Sequence, residues 1–143
     1  MSEVPKRLPP PSNPALLPIL GTATYLAALV ALWGVTSLVL DRDVVDYPDA
    51  GPLLGPAMAA VACAVTWASL RRITRGGSWI QVAAALAGTF GAMVIVGAAG
   101  YAATRGSLSW LILAAGSLAL SPFVVGGAVL SGATALAFKA SRR

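Results

Sequence analysis

Four long apolar stretches, none of which contains an Asp, Glu, Lys or Arg, occupy most of this chain. They cover residues 15–40, 52–70, 77–103 and 108–138. Each is close to or longer than the roughly 20 residues that an α-helix needs to cross the hydrocarbon core of a bilayer. Only helices and closed barrels satisfy the backbone in lipid, and barrel strands alternate polar and apolar residues over about 10 positions. The sequence therefore predicts an all-α fold, an integral membrane bundle of four transmembrane helices.

The composition agrees with this fold class. Hydrophobic residues make up 57% of the chain and charged residues only 10%, whereas soluble domains average about 25% charged residues. We expect one transmembrane domain at 15–138, between a flexible Pro-rich cytoplasmic tail at 1–14 and a basic cytoplasmic tail at 139–143. Its spans are predicted at about 18–40, 52–70, 78–102 and 108–137.

The basic residues predict the orientation of the bundle. With four spans, all of the 10 Lys and Arg residues except Arg42 and Arg105 fall on one side of the membrane. Loops rich in Lys and Arg lie in the cytoplasm, so both termini are predicted to be cytoplasmic, an N-in/C-in arrangement. The loop at 41–49 holds four of the five acidic residues and is predicted to face outward. Because the basic residues form no groove or stripe, we expect no nucleic-acid partner.

The residue types that carry chemistry are missing from the spans. The chain has no His and a single Cys, which excludes a thiol–imidazole metal site, a haem-ligating His and a nucleophile–His pair. Ion-coupled transporters usually place a charged side chain within the membrane, and here every charge lies outside the apolar stretches. We therefore predict that the protein is not an enzyme, with no catalytic or metal-binding residues and no cofactor.

Two groups of residues are candidates for contact with a partner or with lipid. The acidic loop and the start of the second span either form a docking surface for a basic partner or are simply solvated. Weak Ca²⁺ binding is disfavoured because the loop lacks the Gly and the terminal Glu of a calcium hand. The basic cluster after the second span attracts anionic lipid. The candidates are Asp41, Asp43, Asp46, Asp49, Gly51, Pro52, Gly55, Pro56, Arg71, Arg72 and Arg75.

Prolines predict irregular backbone at two places. Pro52 and Pro56 each lack a backbone donor, so residues 49–56 are expected to enter the membrane as a kinked helix start or as unwound backbone. Broken segments at membrane depth can line a binding site. The fourth stretch would be roughly 46 Å long as one helix, longer than the hydrocarbon core. It must tilt, kink or emerge from the membrane, and Ser121-Pro122 is the natural kink point.

Small residues recur at four-residue spacing in three of the spans. Such residues let helices approach closely, either inside the bundle or at an interface with another copy or partner. Gln81, the one large polar side chain inside a span, either snorkels to the interface or forms a hydrogen bond across helices. The small-residue series are Gly51/Gly55/Ala59/Cys63, Ala84/Gly88/Ala92 and Gly127/Ser131.

Residues 43–58 carry a resemblance to a known family. The pair Asp43-Val44 and the run PDAGPLLGPAM at 48–58 resemble a family of small uncharacterised four-span membrane proteins from actinobacteria. The likeness implies the four-span topology and a bacterial plasma membrane, and it implies no activity or site. The abundance of Ala, Gly and Arg is likewise typical of GC-rich bacteria.

These observations predict a non-catalytic accessory or scaffold subunit that packs on a larger membrane complex. Its polar contacts would come from the acidic loop or from the Pro-rich tail, which is either a docking peptide or a flexible leader. The alternative is a small oligomeric transporter or channel for an uncharged or weakly polar solute, using the start of the second span. The expected partners are membrane lipids and other membrane-protein subunits or further copies of the chain.

Overall fold

The computed structural model describes residues 15–45, 47 and 51–141, and these residues form helices and no strands. The predicted tail at 1–14, the last two residues of the tail predicted at 139–143, and the candidates Asp46 and Asp49 lie outside the described residues. The helices are α1 (Leu16–Leu40), α2 (Leu54–Thr74), α3 (Ile80–Arg105), α4 (Ser109–Ala119) and α5 (Pro122–Ala140).

Four of these helices, α1, α2, α3 and α5, are long and apolar enough to cross a membrane. The predicted all-α fold with four membrane-crossing helices is therefore confirmed. Many large side chains on the surface of the bundle are apolar, and Leu38, Leu108 and Leu120 are each more than four-fifths exposed. Such a surface is stable only against lipid or other helices, which indicates a membrane protein.

The helix ends follow from local backbone chemistry. α1 ends where the charged residues begin, because Asp41 adopts a left-handed φ of 49° and its N–H bonds to the Ser37 carbonyl. α3 ends at Gly106, whose φ of 64° suits a residue without a Cβ. Residues 106–108 then form a tight turn into α4.

The fourth predicted span, at about 108–137, consists of two helices rather than one. Ser121 is extended, with φ −68° and ψ 128°, and Pro122 occupies the first turn of α5. A proline pushes the preceding residue out of the α region, while its own fixed φ suits a helix start. The predicted kink point is therefore a complete break, which leaves the 11-residue α4 as a separate short helix.

The second span begins more regularly than its prolines predicted. α2 starts at Leu54, and the Ala57 N–H bonds to the Leu53 carbonyl at 3.0 Å. Pro56 lies in the first turn, where a helix needs no backbone donor. α2 also continues past the predicted end at residue 70 to Thr74, because Ile73 is buried. Its 21 residues span about 31 Å, enough to cross the hydrocarbon core.

α3 is the central helix of the bundle, in contact with α2, α4 and α5, and α1 packs on α2 and α5. Gly97 shows how closely the helices approach. A Cβ on Gly97 would lie 2.7 Å from a Leu118 methyl group of α4 and 3.1 Å from the Met58 sulfur of α2. A residue without a side chain is therefore required where α2, α3 and α4 meet.

The two ends of the described chain lie at the same end of the bundle. A Cβ on Gly21, in α1, would lie 2.8 Å from a Leu70 methyl group in the last turns of α2 and 3.7 Å from the Phe138 ring in α5. The Lys139 amine, near the end of α5, donates a hydrogen bond of 2.7 Å to the Gly77 carbonyl just before α3. The start of α1 and the end of α5 therefore meet the loop between α2 and α3.

We call this end the basic end, defined by Arg71, Arg72, Arg75 and Lys139. The three arginines are exposed and the lysine is partly buried. The opposite, acidic end is defined by Asp41 and Asp43, which are exposed after the end of α1.

Candidate functional site

At the acidic end, the loop after α1 folds back on the helix. The Arg42 N–H donates to the Ser37 carbonyl at 3.2 Å, and the Ser37 hydroxyl donates to the Arg42 carbonyl at 2.5 Å. Asp41 and Asp43 remain exposed, as expected for a solvated loop. The structure therefore leaves both described acidic candidates available for contact.

A cavity of about 350 Å³ lies between this loop and the break that separates α4 from α5. Arg42, Asp43 and Tyr47 line it from the loop, and Ser117 and Ser121 line it from the α4 side. The Tyr47 and Ser117 hydroxyls form a hydrogen bond that joins the loop to α4. The cavity therefore combines charged, hydroxyl and apolar groups beside a helix break.

The candidates at the start of α2 do not join this cavity. Gly51 and Pro52 are exposed. Gly55 and Pro56 line a separate groove of about 560 Å³ between α1 and α2, whose other lining groups are almost all apolar. Asp43 and the proline-rich start of α2, which the sequence grouped together, therefore line two different surfaces, and Val44 of the loop borders both.

Aromatic rings fasten the loop to the acidic end of the bundle. The Tyr47 ring stacks on Tyr101 with centroids 4.1 Å apart, and Trp110 meets Tyr101 edge-on at 5.9 Å. The Arg105 guanidinium lies 5.6 Å from the Tyr101 ring and 5.3 Å from the Trp110 ring. Cation–π contacts of this kind contribute about 0.5–1 kcal/mol each at exposed sites. These contacts hold Tyr47, which lines the cavity, against the end of α3 and the start of α4.

At the centre of the bundle, hydroxyl groups from all four long helices lie together. The Tyr25 hydroxyl donates a 3.2 Å hydrogen bond to the Gly127 carbonyl, and it also interacts with the side chain of Thr66. None of the four hydroxyl residues is exposed to solvent. This hydroxyl cluster consists of Tyr25 of α1, Thr66 of α2, Thr89 of α3 and Ser131 of α5.

Ser131 is the hub of the hydroxyl cluster. Its oxygen accepts a 2.9 Å hydrogen bond from Thr89 and lies 2.8 Å from the Thr66 hydroxyl. Its own proton reaches the Ala85 carbonyl at 3.3 Å. A serine hydroxyl has one donor and two lone pairs, so these three contacts use its whole capacity. The cluster therefore joins helices and leaves Ser131 with no free hydrogen-bonding capacity for a substrate.

The hydroxyl cluster was not predicted from the sequence. The four-residue spacing singles out Ser131 only as a small residue after Gly127, and no pattern singles out the other three hydroxyls. The available signal is the presence of Ser, Thr and Tyr inside the apolar stretches, where an uncompensated polar group is unfavourable, but each stretch holds more than one such residue.

At the basic end, cations lie over tryptophan rings. The Arg71 guanidinium is 5.1 Å from the centre of the Trp67 ring, and the Lys139 amine is 5.2 Å from that of Trp79. Lys139 also bonds to the Gly77 carbonyl, so it clasps α5 to the loop before α3. The predicted basic candidates are thus together at one end, far along the bundle from the acidic candidates.

The small-residue series have different outcomes. Gly127 and Ser131 are buried inside the bundle, whereas Ala84 and Gly88 are exposed on α3. The Gln81 amide oxygen is buried and has no hydrogen-bond partner in the part of the chain that the structure describes. Across residues 15–45, 47 and 51–141, no three His, Cys, Asp or Glu side chains lie close enough together to hold a metal ion.

Comparison with known proteins identifies a family but no characterised relative. No curated protein and no solved structure matches the chain. A family model described as a family of unknown function, DUF6121, matches residues 13–141, which include all the helices described above. The match agrees with the uncharacterised family expected from the sequence. The chain therefore belongs to the family of unknown function DUF6121.

Proposed function

We propose that the protein is a non-catalytic accessory or scaffold subunit that packs on a larger complex in a bacterial plasma membrane. The central hydroxyls support this proposal, because they are bonded to one another and to backbone carbonyls rather than arranged around a substrate. Exposed Asp41 and Asp43 would supply polar contacts to a basic surface of the partner.

The observation that carries the proposal is an open face of small residues on α3. Ala84, Ala87 and Gly91 follow one another at helical spacing, and both alanines are exposed. A Cβ added to Gly91 would meet no atom within 4 Å. Small residues allow close helix–helix approach in lipid, where no hydrophobic effect drives association. Among residues 15–45, 47 and 51–141 no helix covers this face, and the face fits a helix of another subunit.

Replacement of one open glycine tests this face. Gly91→Leu would place an isobutyl group where another helix packs, at a partly buried position where the added Cβ would meet no described atom within 4 Å. The matched control is Gly34→Leu on α1, because Gly34 is exposed and a Cβ there, like one on Gly91, meets no atom within 4 Å. Both variants are expected to fold like the wild type, judged by yield and thermal unfolding in detergent.

The measurement is affinity purification of each tagged protein from native membranes in mild detergent, followed by mass spectrometry. We expect stoichiometric membrane subunits with the wild type and Gly34→Leu, and their loss with Gly91→Leu. Recovery of the wild type alone, or equal recovery of partners with all three proteins, would remove the α3 face from the proposal.

The orientation that we propose has both termini in the cytoplasm. It is supported by the position of the start of α1 and the end of α5 at the basic end, the side expected to face the cytoplasm. Reporter fusions at the two termini test it. Activity of a periplasm-dependent reporter at either terminus would contradict the orientation.

A second candidate function is a small oligomeric transporter or channel for an uncharged or weakly polar solute. The observation that favours it is the cavity beside the break at Ser121-Pro122, since broken helices can line a binding site. The sequence places the irregular segment that could line a site at the start of α2, whereas here the candidate uses the break between α4 and α5. Reconstitution of the purified protein in liposomes tests the candidate, and solute leakage equal to that of empty liposomes would exclude it for each solute tried.

A further inference from the structure

The last turn of α2 holds its arginines in fixed positions. Leu70 and Ile73 of this turn are buried, while Arg71 and Arg72 are exposed. The buried pair anchors the turn to the bundle, so the arginine side chains project from a rigid support. Cations at a helix C-terminus also interact favourably with the helix dipole. The helix dipole explains why two adjacent arginines are tolerated in this turn. It does not explain why Arg71 lies on the same face as Trp67, or why a third arginine follows at position 75.

Trp67, Arg71 and Arg75 follow one another at four-residue spacing, so they lie on one face of α2. All three side chains are exposed, and the Arg71 guanidinium is 5.1 Å from the Trp67 ring. Tryptophan prefers the boundary between hydrocarbon and headgroups. A Trp67 at that boundary places Arg71 and Arg75 one and two turns further out, at the level of lipid phosphates.

The same face of α2 is smooth on the hydrocarbon side of Trp67. Its residues there are alanines with exposed side chains, so the helix surface is a shallow strip between bulkier neighbours. An acyl chain lying along this strip contacts methyl groups and backbone, with no large side chain in its way. The strip consists of Ala57, Ala60 and Ala64.

The charge at this end is uncompensated within the described part of the bundle. The acidic residues among the described positions are Asp41 and Asp43, both at the opposite end. Lys139 is already engaged by the Gly77 carbonyl and the Trp79 ring. Among the residues that the structure describes, the α2 arginines therefore have no carboxylate near them, and their exposed guanidinium groups match an anionic group.

From these observations we propose that the Trp67–Arg71–Arg75 face of α2 is a binding site for an anionic phospholipid. The lipid phosphate lies against Arg71 and Arg75, and one acyl chain follows the alanine strip past Trp67. Guanidinium groups suit phosphate because they present several N–H donors in a planar fork. The commitment to a lipid, rather than to a soluble phosphate, rests on the alanine strip and on the interfacial tryptophan.

The test measures thermal unfolding of the purified full-length protein in a neutral detergent. Phosphatidylglycerol, phosphatidylcholine or inorganic phosphate is added at increasing concentration. A ligand that binds only the folded state raises the unfolding temperature, and the stabilisation grows with the free ligand concentration L as RT ln(1 + L/Kd). We expect phosphatidylglycerol to raise this temperature, and phosphatidylcholine and inorganic phosphate to leave it unchanged.

The decisive variant is Arg71→Gln combined with Arg75→Gln. Each basic residue near an anionic lipid surface contributes about 1 kcal/mol, so loss of two should weaken phosphatidylglycerol binding roughly tenfold or more. The matched control is Arg105→Gln. Arg105 also lies over aromatic rings, but it does so at the acidic end, so this variant should keep the full lipid-induced shift.

The proposal would be overturned by an equal shift with phosphatidylcholine, by a shift with inorganic phosphate alone, or by an unchanged phosphatidylglycerol response in the double variant. If the double variant does not fold, the wild type still decides the question. Salt at about 0.5 M shortens the range of exposed charges to a few ångströms and should abolish most of the phosphatidylglycerol shift. A shift that survives salt would reject an arginine–phosphate site.

Discussion

Ser131→Ala removes the hub of the central hydroxyl cluster and should measurably destabilise the bundle. The substitution deletes one oxygen and leaves the packing of α5 otherwise intact. It breaks the contacts with Thr66 at 2.8 Å, Thr89 at 2.9 Å and the Ala85 carbonyl at 3.3 Å. Each contact joins α5 to a different segment of α2 or α3, so the loss is distributed over the centre of the bundle.

The magnitude follows from these three contacts. Hydrogen bonds between membrane helices average about 0.6 kcal/mol each, which gives about 2 kcal/mol for the set. The released threonine hydroxyls can turn back to a carbonyl one turn earlier in their own helices, as Thr134 does with the Leu130 carbonyl at 2.8 Å. This relaxation recovers part of the loss, so we expect Ser131→Ala to lower the free energy of unfolding by about 1–2 kcal/mol.

The assay is equilibrium unfolding in mixed detergent, monitored by the fluorescence of the four tryptophans. Thr134→Ala is the matched control on the same helix, because its hydroxyl bonds only to its own helix in the described structure. We expect the control to change stability by less than about 0.5 kcal/mol. Ser131→Ala should also couple to Thr66→Val in a double-mutant cycle by about 0.6 kcal/mol. Equal stability of the Ser131→Ala and Thr134→Ala variants would refute the assignment of Ser131 as a link between helices.

Three further substitutions test other contacts. Gly97→Leu should destabilise the bundle by about 1–3 kcal/mol in the same unfolding assay, because its Cβ alone would lie 2.7 Å from a Leu118 methyl group. Trp33→Phe should lower the free energy of unfolding by about 1 kcal/mol, because the buried indole N–H donates to the Phe123 carbonyl at 3.0 Å. An unchanged free energy of unfolding would show that this hydrogen bond is dispensable. Lys139→Met removes the hydrogen bond that joins α5 to the loop before α3, so it should speed proteolysis of that loop with little change in global stability. An unchanged rate of cleavage would contradict this role of Lys139.

The helix positions were predictable because charges and glycines delimit them. Asp41 ends α1 and Arg105 with Gly106 ends α3, as the apolar pattern indicated. The second span is predicted to end at residue 70 because Arg71 marks the edge of the hydrocarbon, but a span boundary does not fix where the helix itself ends. The helix instead continues past Arg71 to bury Ile73, since a helix can extend into the headgroup region while it still packs on its neighbours.

The break in the last apolar stretch was predictable in position but not in extent. Pro122 marks the point because it restricts Ser121 and lacks a donor. A kink and a complete break satisfy the same local rule. The choice between them depends on tertiary contacts, here the packing of α4 on α3 and of α5 on α1, α2 and α3. Such contacts are not visible in a hydropathy pattern.

The hydroxyl cluster was unpredictable for a related reason. Each long helix is apolar on every side, so the sequence does not reveal which face turns inward. Thr66 and Thr89 are central only because their helices are rotated toward Ser131. Thr24, by contrast, is also in an apolar span but is exposed and bonds to the Leu20 carbonyl of its own helix. The same residue type is a helix link in one place and a surface residue in the other.

Because the central hydroxyl cluster is fully hydrogen-bonded, we expect partners to bind at the surfaces of the bundle, and two of these surfaces predict different partners. The open face of α3 around Gly91 fits another helix, whereas the arginine face of α2 around Arg71 fits an anionic lipid. Gly91→Leu and the Arg71/Arg75 double variant distinguish the roles of these two faces. Gly91→Leu should abolish co-purification of subunits and keep the lipid-induced shift in unfolding temperature, and the Arg71/Arg75 double variant should do the reverse. Loss of both properties in both variants would instead mean that lipid mediates the contact between the bundle and its partner, and that the two faces act as one interface.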